Sequence, residues 1–328
     1  MATAGGAWAN LAEAQLLTQN QFVAGLKPEI IKAGRIIPKL PPVEIKGPSL
    51  QWNRENVIPS GAFHAIGDAW VGSEDLDHTQ VTLSLAIHGD QKNIDAFVKR
   101  RYSNKQDMLD VVVKQTIKGL THKLEDLIVY EATAWTGLHG LVTSGQTINA
   151  GSGSTGGQLS AADVDALLDR VRVTDDEEDQ PSMFMVMPRA LGLRFDQSPR
   201  GGTTNQPVIM VQQSSNGNAG LNVAPQVKSW NGTQIIRSDF MVFTETIAGG
   251  TYSAKTGGST GSILAIHGDT DNGAFLGVGS PMLHMDGPHP RENARGEWLR
   301  IDSEMAPGIM ITKCVARIDG ILDSPLTE

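Results

Sequence analysis

The chain holds one cysteine, Cys314, so no disulfide forms within it, and neither stability nor compartment can be argued from thiols. Cys314 falls inside the Ile309–Val315 run, which predicts a small buried thiol rather than a nucleophile. Basic residues are in deficit: the net charge is −9, which repels phosphate and excludes a dedicated nucleic-acid reader. No apolar run approaches the ~20 residues that cross a bilayer. Met1–Glu13 lacks the basic start and continuous apolar stretch of a signal peptide, so a cytosol-like solvent is expected. Aromatics are only 5% of the 328 residues, against 36 Gly and 16 Pro that point to many turns. At 40% hydrophobic, the chain can still bury one large core or two smaller ones.

The strongest periodicity lies between Asn104 and Ala134. Leu109, Val113, Ile117, Leu120, Leu124 and Leu127 recur at steps of three and four, which predicts one long helix with a single apolar stripe. Its 31 residues would span about 46 Å. Such a rod needs a partner surface along its whole length, and Leu120 and Leu124 are expected beneath strands that include Ile309–Val315.

Residues 1–50 read as an arm. Ala7–Leu17 has the pattern of a short helix, and Pro28, Pro38, Pro41, Pro42 and Pro48 break any regular element in the rest of the segment. Ile36, Ile37, Leu40, Val43 and Ile45 are spaced as in an extended segment that docks either on another subunit or along its own domain. From Gln51 to His88 the pattern is a β-hairpin: Val81, Leu83, Leu85 and Ile87 alternate with Thr82, Ser84, Ala86 and His88. Its polar tip carries Glu74, Asp75 and Asp77. Isolated hairpins are marginal in water, so this one also expects a partner. The only compact basic cluster, Lys99, Arg100 and Arg101, stands just before the long helix and suits a neighbour's carboxylates.

Beyond Leu138–Val142 and a Gly/Ser segment, Ser160 is an N-cap for a helix over Ala161–Val173. Asp175–Asp179 reads as a solvated turn. Ser182–Pro188 is a strand, followed by a short helix over Ala190–Phe195. Further strands are expected at Gln234–Arg237, Met241–Thr244, Ser262–Gly268 and within Leu299–Ile318.

Three motifs imitate chemistry without its context. Gly151–Gly156 matches a dinucleotide fingerprint, but no strand leads into it and no helix opens from it. Gly257–Gly261 matches a nucleophile elbow with loop and strand in the wrong order. His284, Asp286 and His289 could ligate a metal, but the Gly-Pro between them predicts a loop without fixed geometry. No catalytic, cofactor or metal site is therefore assigned.

The order of arm, hairpin, long helix, α/β unit and closing strands resembles the major capsid proteins of tailed phages, of the Hong Kong 97 type. The resemblance is carried by Leu124–Ala134 running into Gly140-Leu-Val, by Ser182-Met-Phe-Met-Val-Met-Pro-Arg-Ala-Leu-Gly-Leu, by Gly232-Thr-Gln-Ile-Ile-Arg-Ser-Asp239, and by Arg295–Asp302 followed by Pro307–Ala316. It implies an α+β Hong Kong 97-like capsid fold. Residues 1–50 would be the N-terminal arm and 51–90 the E-loop. Residues 91–145 and 269–328 would form the peripheral (P) domain around a spine helix, and 146–268 the axial (A) domain, with the last strand returning to it.

The resemblance further implies a structural protein, not an enzyme. It would assemble as a homo-oligomer, in pentamers and hexamers, into an icosahedral shell that encloses double-stranded DNA without reading its sequence. Portal and scaffolding proteins are implied partners, with a decoration protein an option and no membrane. The location would be the virion, after assembly in the host bacterial cytoplasm. The chain shows no charged helical prefix of about 100 residues, so a separate scaffolding protein or prior cleavage is expected. No Lys–Asn crosslink is carried over. Acidic subunits suit a lining that should not hold the packed DNA. The tip acids Glu74, Asp75 and Asp77 are expected to meet Lys99, Arg100 and Arg101 of a neighbouring subunit. An encapsulin-type nanocompartment or a gene-transfer-particle shell is the alternative, and an enzyme with an unrecognised site the reading from another class.

Overall fold

The computed structural model describes residues 35–56, 63–67, 77–102, 108–151, 155–173, 182–197, 208–211, 227–249, 251–280, 283–291 and 295–324. The Ala7–Leu17 helix, Glu74, Asp75 and the Asp175–Asp179 turn lie outside the described residues. In chain order the strands begin with β1 (Pro42–Glu44), β2 (Ser49–Glu55), β3 (His78–Ser84) and β4 (Ala86–Asp95). Helices α1 (Ala96–Tyr102), α2 (Met108–Tyr130) and α3 (Leu138–Leu141) follow, then β5 (Thr147–Asn149), α4 (Ala161–Arg170), β6 (Met183–Pro188) and α5 (Arg189–Gln197). The remainder is strand: β7 (Val208–Val211), β8 (Val227–Trp230), β9 (Thr233–Ser238), β10 (Thr246–Ala248), β11 (Thr251–Ala254) and β12 (Thr260–His267). The chain closes with β13 (Ala274–Val278), β14 (His284–Pro290), β15 (Gly296–Ile309) and β16 (Val315–Leu322).

Two sheets carry the core. The larger runs β5-β16-β12-β6-β9-β8-β7. All eight residues of β12 are buried, because both faces of the sheet are covered. Phe184, Val186, Leu264, Ile266 and Val315 face Leu124, Ile128 and Val129 of α2. Met185, Met187, Ile263, Ala265 and Ile318 face Val164 and Leu167 of α4. Strands covered on both sides read as near-continuous apolar runs, as Met183–Pro188 does. Ser160 caps α4 in a reciprocal box with Asp163, each backbone N–H meeting the other's side chain at 3.1 Å; such a box satisfies two otherwise unpaired donors.

The smaller sheet is organised by β15, fourteen residues long. It pairs with β4 on one side, and on the other with β14 along its first half and β13 along its second. β1 adds in parallel to β13. No helix of the described residues is long and apolar enough to cross a membrane.

The structure corrects several expectations. The long helix occupies Met108–Tyr130, 23 residues, so it ends before Ala134. The Glu131 carboxylate accepts the Thr133 and Ala134 N–H groups at 2.8 and 3.1 Å, turning the chain out of the helix and holding that carboxyl below its usual range. The buried face is also rotated: Val111, Val112, Thr116, Leu124, Glu125, Ile128 and Val129 are buried, whereas Leu109, Val113, Ile117, Leu120 and Leu127 are half-buried. Toward the end of the helix that face carries Glu125. It is 1% exposed and accepts the Ile36 and Ile37 N–H groups, each at 3.2 Å. That contact draws the end of the predicted arm onto its own helix, with Ile36, Leu40 and Ile45 buried. For 36–45, docking along the chain's own domain is therefore the outcome.

Alternation breaks at Leu85, where the chain leaves β2 and joins β15, so Ile87 is 74% exposed rather than buried. Met241–Thr244 is irregular, not a strand. His284–Pro290 is a strand, not a loop, with its register shifted between Asp286 and His289. The 269–328 block divides: β13, β14 and β15 join the smaller sheet, while β16 crosses to the larger beside β12 and β5.

Candidate functional site

Among the described residues the β2–β3 hairpin pairs only with itself, yet its base is bolted down. Trp52 and Arg54, two apart and hence on one strand face, reach the end of β15. Trp52 Nε1 donates to the Met310 carbonyl at 3.1 Å, and Arg54 Nε to the same oxygen at 2.7 Å. Arg54 Nη2 donates to the Ile309 carbonyl at 2.6 Å. Trp52 stands edge-on to Phe275 at 5.9 Å. Leu83 lies against Gly308 and Arg54 against Ile309 and Met310, so the hairpin runs outward past the end of β15. Beyond it, Phe63 and Ile66 are fully exposed. Asp77, at the far end of the ladder, is exposed and accepts from Asn56 Nδ2 at 3.1 Å.

The basic cluster stands at the opposite end of β15. Asp95 caps α1 through the Phe97 and Val98 N–H groups, at 2.7 and 3.3 Å. Lys99 is not free: its Nζ is 2.6 Å from Glu297 Oε2. Arg100 and Arg101 are exposed in the last turn, beside a 57% exposed Phe97. Twelve residues of β15 separate Glu297 from Ile309, about 40 Å at the rise of a strand. The structure thus places Asp77 and the arginines at opposite ends, and the hairpin points away from α1. One chain cannot bring them together.

Sequence reasoning missed a buried polar junction between α2, α3 and the larger sheet. His139 is 3% exposed, Glu245 1%, Ser262 0%, Arg317 6% and Asp319 0%. Tyr130 Oη donates to Glu245 Oε1 at 2.6 Å and accepts the Val242 N–H at 3.1 Å. Ser262 Oγ donates to the same Glu245 oxygen at 2.9 Å. His139 Nε2 is 2.8 Å from Ser262 Oγ, and its Nδ1 is 2.9 Å from Arg317 Nη1. Arg317 Nε lies 2.6 Å from Asp319 Oδ1 but off the angle of a hydrogen bond, so that contact is ionic. Asp319 Oδ2 accepts the Tyr252 N–H at 2.9 Å. Burial raises the Asp319 carboxyl above its ordinary range against the pull of Arg317, and pushes the Tyr252 phenol up to about 12.

The Ser262–His139 contact has the length of a nucleophile–base pair but not its chemistry. A catalytic imidazole is oriented by a carboxylate on its far nitrogen, whereas here a guanidinium sits there and Ser262 is sealed from substrate. The signal for this junction was faint: polar residues inside apolar strands, Ser262 in β12 and Arg317 and Asp319 in β16. Cys314 is fully buried with Sγ 3.0 Å from the Ile311 carbonyl, and burial pushes its thiol up to about 12, which suits a packed rather than a reactive cysteine. Among the described residues no group of three or more His, Cys, Asp or Glu side chains could hold a metal ion.

Neither a protein-family model nor a curated protein matches the sequence. Solved structures do. A subunit of the holo-SrpI encapsulin complex of Synechococcus elongatus PCC 7942 superposes with a TM-score of 0.60 at 14% identity, covering 97% of this chain and 98% of its own. The capsid of a native GTA particle gives 0.65 at 10% identity, covering 94% and 97%. The capsid of cyanophage A-1(L) gives 0.64 at 10% identity, covering 92% and 97%. The chain has the fold that these shell subunits share.

Proposed function

We propose that this chain is the major capsid protein of a tailed phage, of the Hong Kong 97 type, and that copies of it close into an icosahedral shell around double-stranded DNA. What carries the reading is the polarity of β15. One end bolts down an outward hairpin tipped by Phe63, Ile66 and Asp77, and the other presents Phe97, Arg100 and Arg101. Apolar and acidic surface at one pole matches apolar and basic surface at the other, and a head-to-tail contact of that kind generates closed rings when its rotation closes.

In this reading the hairpin is the E-loop, α2 the spine helix of a P-domain built on the smaller sheet, and the larger sheet the A-domain, with β16 returning to it. The tip acids Glu74, Asp75 and Asp77 pair with Arg100 and Arg101 of the next subunit, Lys99 being engaged by Glu297 in its own chain. The subunit acts by contact and not by catalysis. Portal, scaffolding and decoration proteins are its proposed partners, and the virion its proposed location. Negative-stain microscopy of the purified protein tests this: closed shells or capsomer rings are expected, and dispersed 35 kDa particles at all concentrations would overturn it.

The likeness to the SrpI encapsulin favours a second reading, a compartment for protein cargo. Particles from the native host distinguish the two. Nuclease-protected DNA supports the phage shell, and a co-purifying enzyme without DNA supports the compartment.

A further inference from the structure

We propose that the junction around His139 is a proton-operated latch, tying the β10–β11 ribbon and the end of α2 to the larger sheet and releasing the ribbon when His139 is protonated. The inference concerns the single subunit and stands apart from what the assembled particle encloses.

Donor and acceptor roles fix the resting state. A guanidinium has only N–H groups to offer, so with Arg317 Nη1 at 2.9 Å His139 Nδ1 must be the acceptor. The imidazole is then neutral, its proton on Nε2 and directed to Ser262 Oγ, 2.8 Å away. Ser262 passes its own proton toward Glu245 Oε1. Glu245 Oε1 thus receives both Ser262 and Tyr130, while its Oε2 is buried without a hydrogen-bond partner.

A second proton on the imidazole enters at Nδ1, where it meets an N–H of Arg317 Nη1, the nitrogen that also donates to the His139 carbonyl. The charged and titratable groups facing His139 come from every element around it. β16 supplies Arg317 and Asp319. Glu245, just before β10, lies 3.5 Å from Nε2. The Tyr252 ring of β11 is 4.3 Å away and the Tyr130 ring of α2 is stacked at 5.1 Å. Behind Tyr130 sits Lys255, 5.1 Å from that ring and paired with Asp126 of α2. The two carboxylates hold an imidazolium where it is. Arg317 alone loses by its presence, so Arg317 gives way.

The consequence falls on one strand. Asp319 loses its counter-ion, and Asp319 is the side chain that receives the Tyr252 N–H. Among the described residues the ribbon pairs with no other strand, and its second strand is held to the sheet by this tether, by the Tyr252 ring against His139 and Tyr130, and by the Arg317 guanidinium over that ring. β12 and β16 keep their own ladder and stay behind when the ribbon leaves.

Hydrogen exchange on the full chain tests the latch, comparing about pH 7.5 with about pH 5.5 after correction for intrinsic rates. Amides of 246–254 should exchange at least about tenfold faster at the lower pH, while those of β6 and β12 are unchanged, as expected for local opening. His139→Gln keeps an acceptor and a donor but cannot be charged, and should leave the ribbon equally protected at both values. Arg317→Gln removes the Asp319 counter-ion outright, and should leave the ribbon fast at both. A parent protein whose ribbon is equally protected at both pH values overturns the proposal. So does acid-induced loss in His139→Gln, or an Arg317→Gln ribbon as slow as the parent at neutral pH.

Discussion

The larger sheet and the β2–β3 hairpin are both strands, and they meet the cost of isolation in opposite ways. In the sheet, β6, β12 and β16 are covered on one face by α2 and on the other by α4, and the residues packed against those helices are apolar. Among the described residues the hairpin is half-buried where Trp52, Leu83 and Arg54 touch β13 and β15, and Phe63 and Ile66 lie open to solvent. Two strands without a covering layer are marginal in water. The difference teaches where to look for function in this chain: in the surface that the subunit leaves unfinished.

Substitutions inside and outside the covered region should therefore separate folding from association. The largest effect on folding is expected inside. Ile128→Ala or Leu124→Ala empties a site against both Val186 and Leu264, and truncations of this kind cost about 2–5 kcal/mol. Denaturant unfolding of the subunit should show the loss, and the half-buried Leu120 should lose less when truncated. If Leu124→Ala folded like the parent and failed only to assemble, α2 would belong to the unfinished surface.

Arg54→Ala sits on the border between the two regions. It deletes donors to two carbonyls, and charge-assisted bonds contribute about 1.5–3 kcal/mol each. A moderate loss of stability should accompany a hairpin whose β2 amides exchange freely; unchanged protection there would show that Trp52 alone anchors the base.

Acidity offers a softer test of the covered region. Burial raises the carboxyl pKa of both Glu125 and Asp319, against hydrogen bonds from Ile37 and Ile36 in the first case and Arg317 in the second. Each group binds a proton more readily folded than unfolded. Stability from these two sites is therefore greatest below the ordinary carboxylate range, and falls as pH rises from there through the raised folded values. Glu125→Gln should flatten that part of the stability–pH curve, and a slope left intact would remove Glu125 from the account.

The unfinished surface should respond the other way. Phe63→Ser with Ile66→Ser should leave unfolding within about 0.5 kcal/mol of the parent, as exposed substitutions do, while shells disappear from micrographs. The smallest effect on stability is expected for Arg100→Glu with Arg101→Glu, since exposed pairs are worth about 0–1 kcal/mol. Shell yield should nevertheless fall, and reversing Glu74, Asp75 and Asp77 to Lys in the same chain should restore it. Failure of that rescue would remove the charge pairing and leave the apolar contact.

How much of this was legible depends on the range of each signal. β6, α4 and its cap were readable because their signals are local: Met183–Pro188 is a near-continuous apolar run, and Ser160–Val171 carries a cap and its own helical period. The hairpin was readable for the same reason, up to Leu85, where a change of partner reset the alternation and exposed Ile87. What failed was long-range. Glu125 carries no local signal of burial, and only Ile36 and Ile37, about ninety residues away, explain it. His139, Glu245 and Arg317 share no local pattern, because a buried network is specified by the fold and not by spacing. Trp52 and Arg54 did carry a signal, their shared strand face, but its target at Met310 had none.

The length of β15 has a geometric consequence. If each copy offers a hairpin at one pole and α1 at the other, the strand between them is a ruler, and the spacing of subunits in the lattice is inherited from a count of peptide bonds. Two residues added in register to β15 and to its partner strands would move the poles apart by about 7 Å without turning any side chain over. One residue would exchange the strand's inner and outer faces. The radius of the particle would then be adjustable only in even steps.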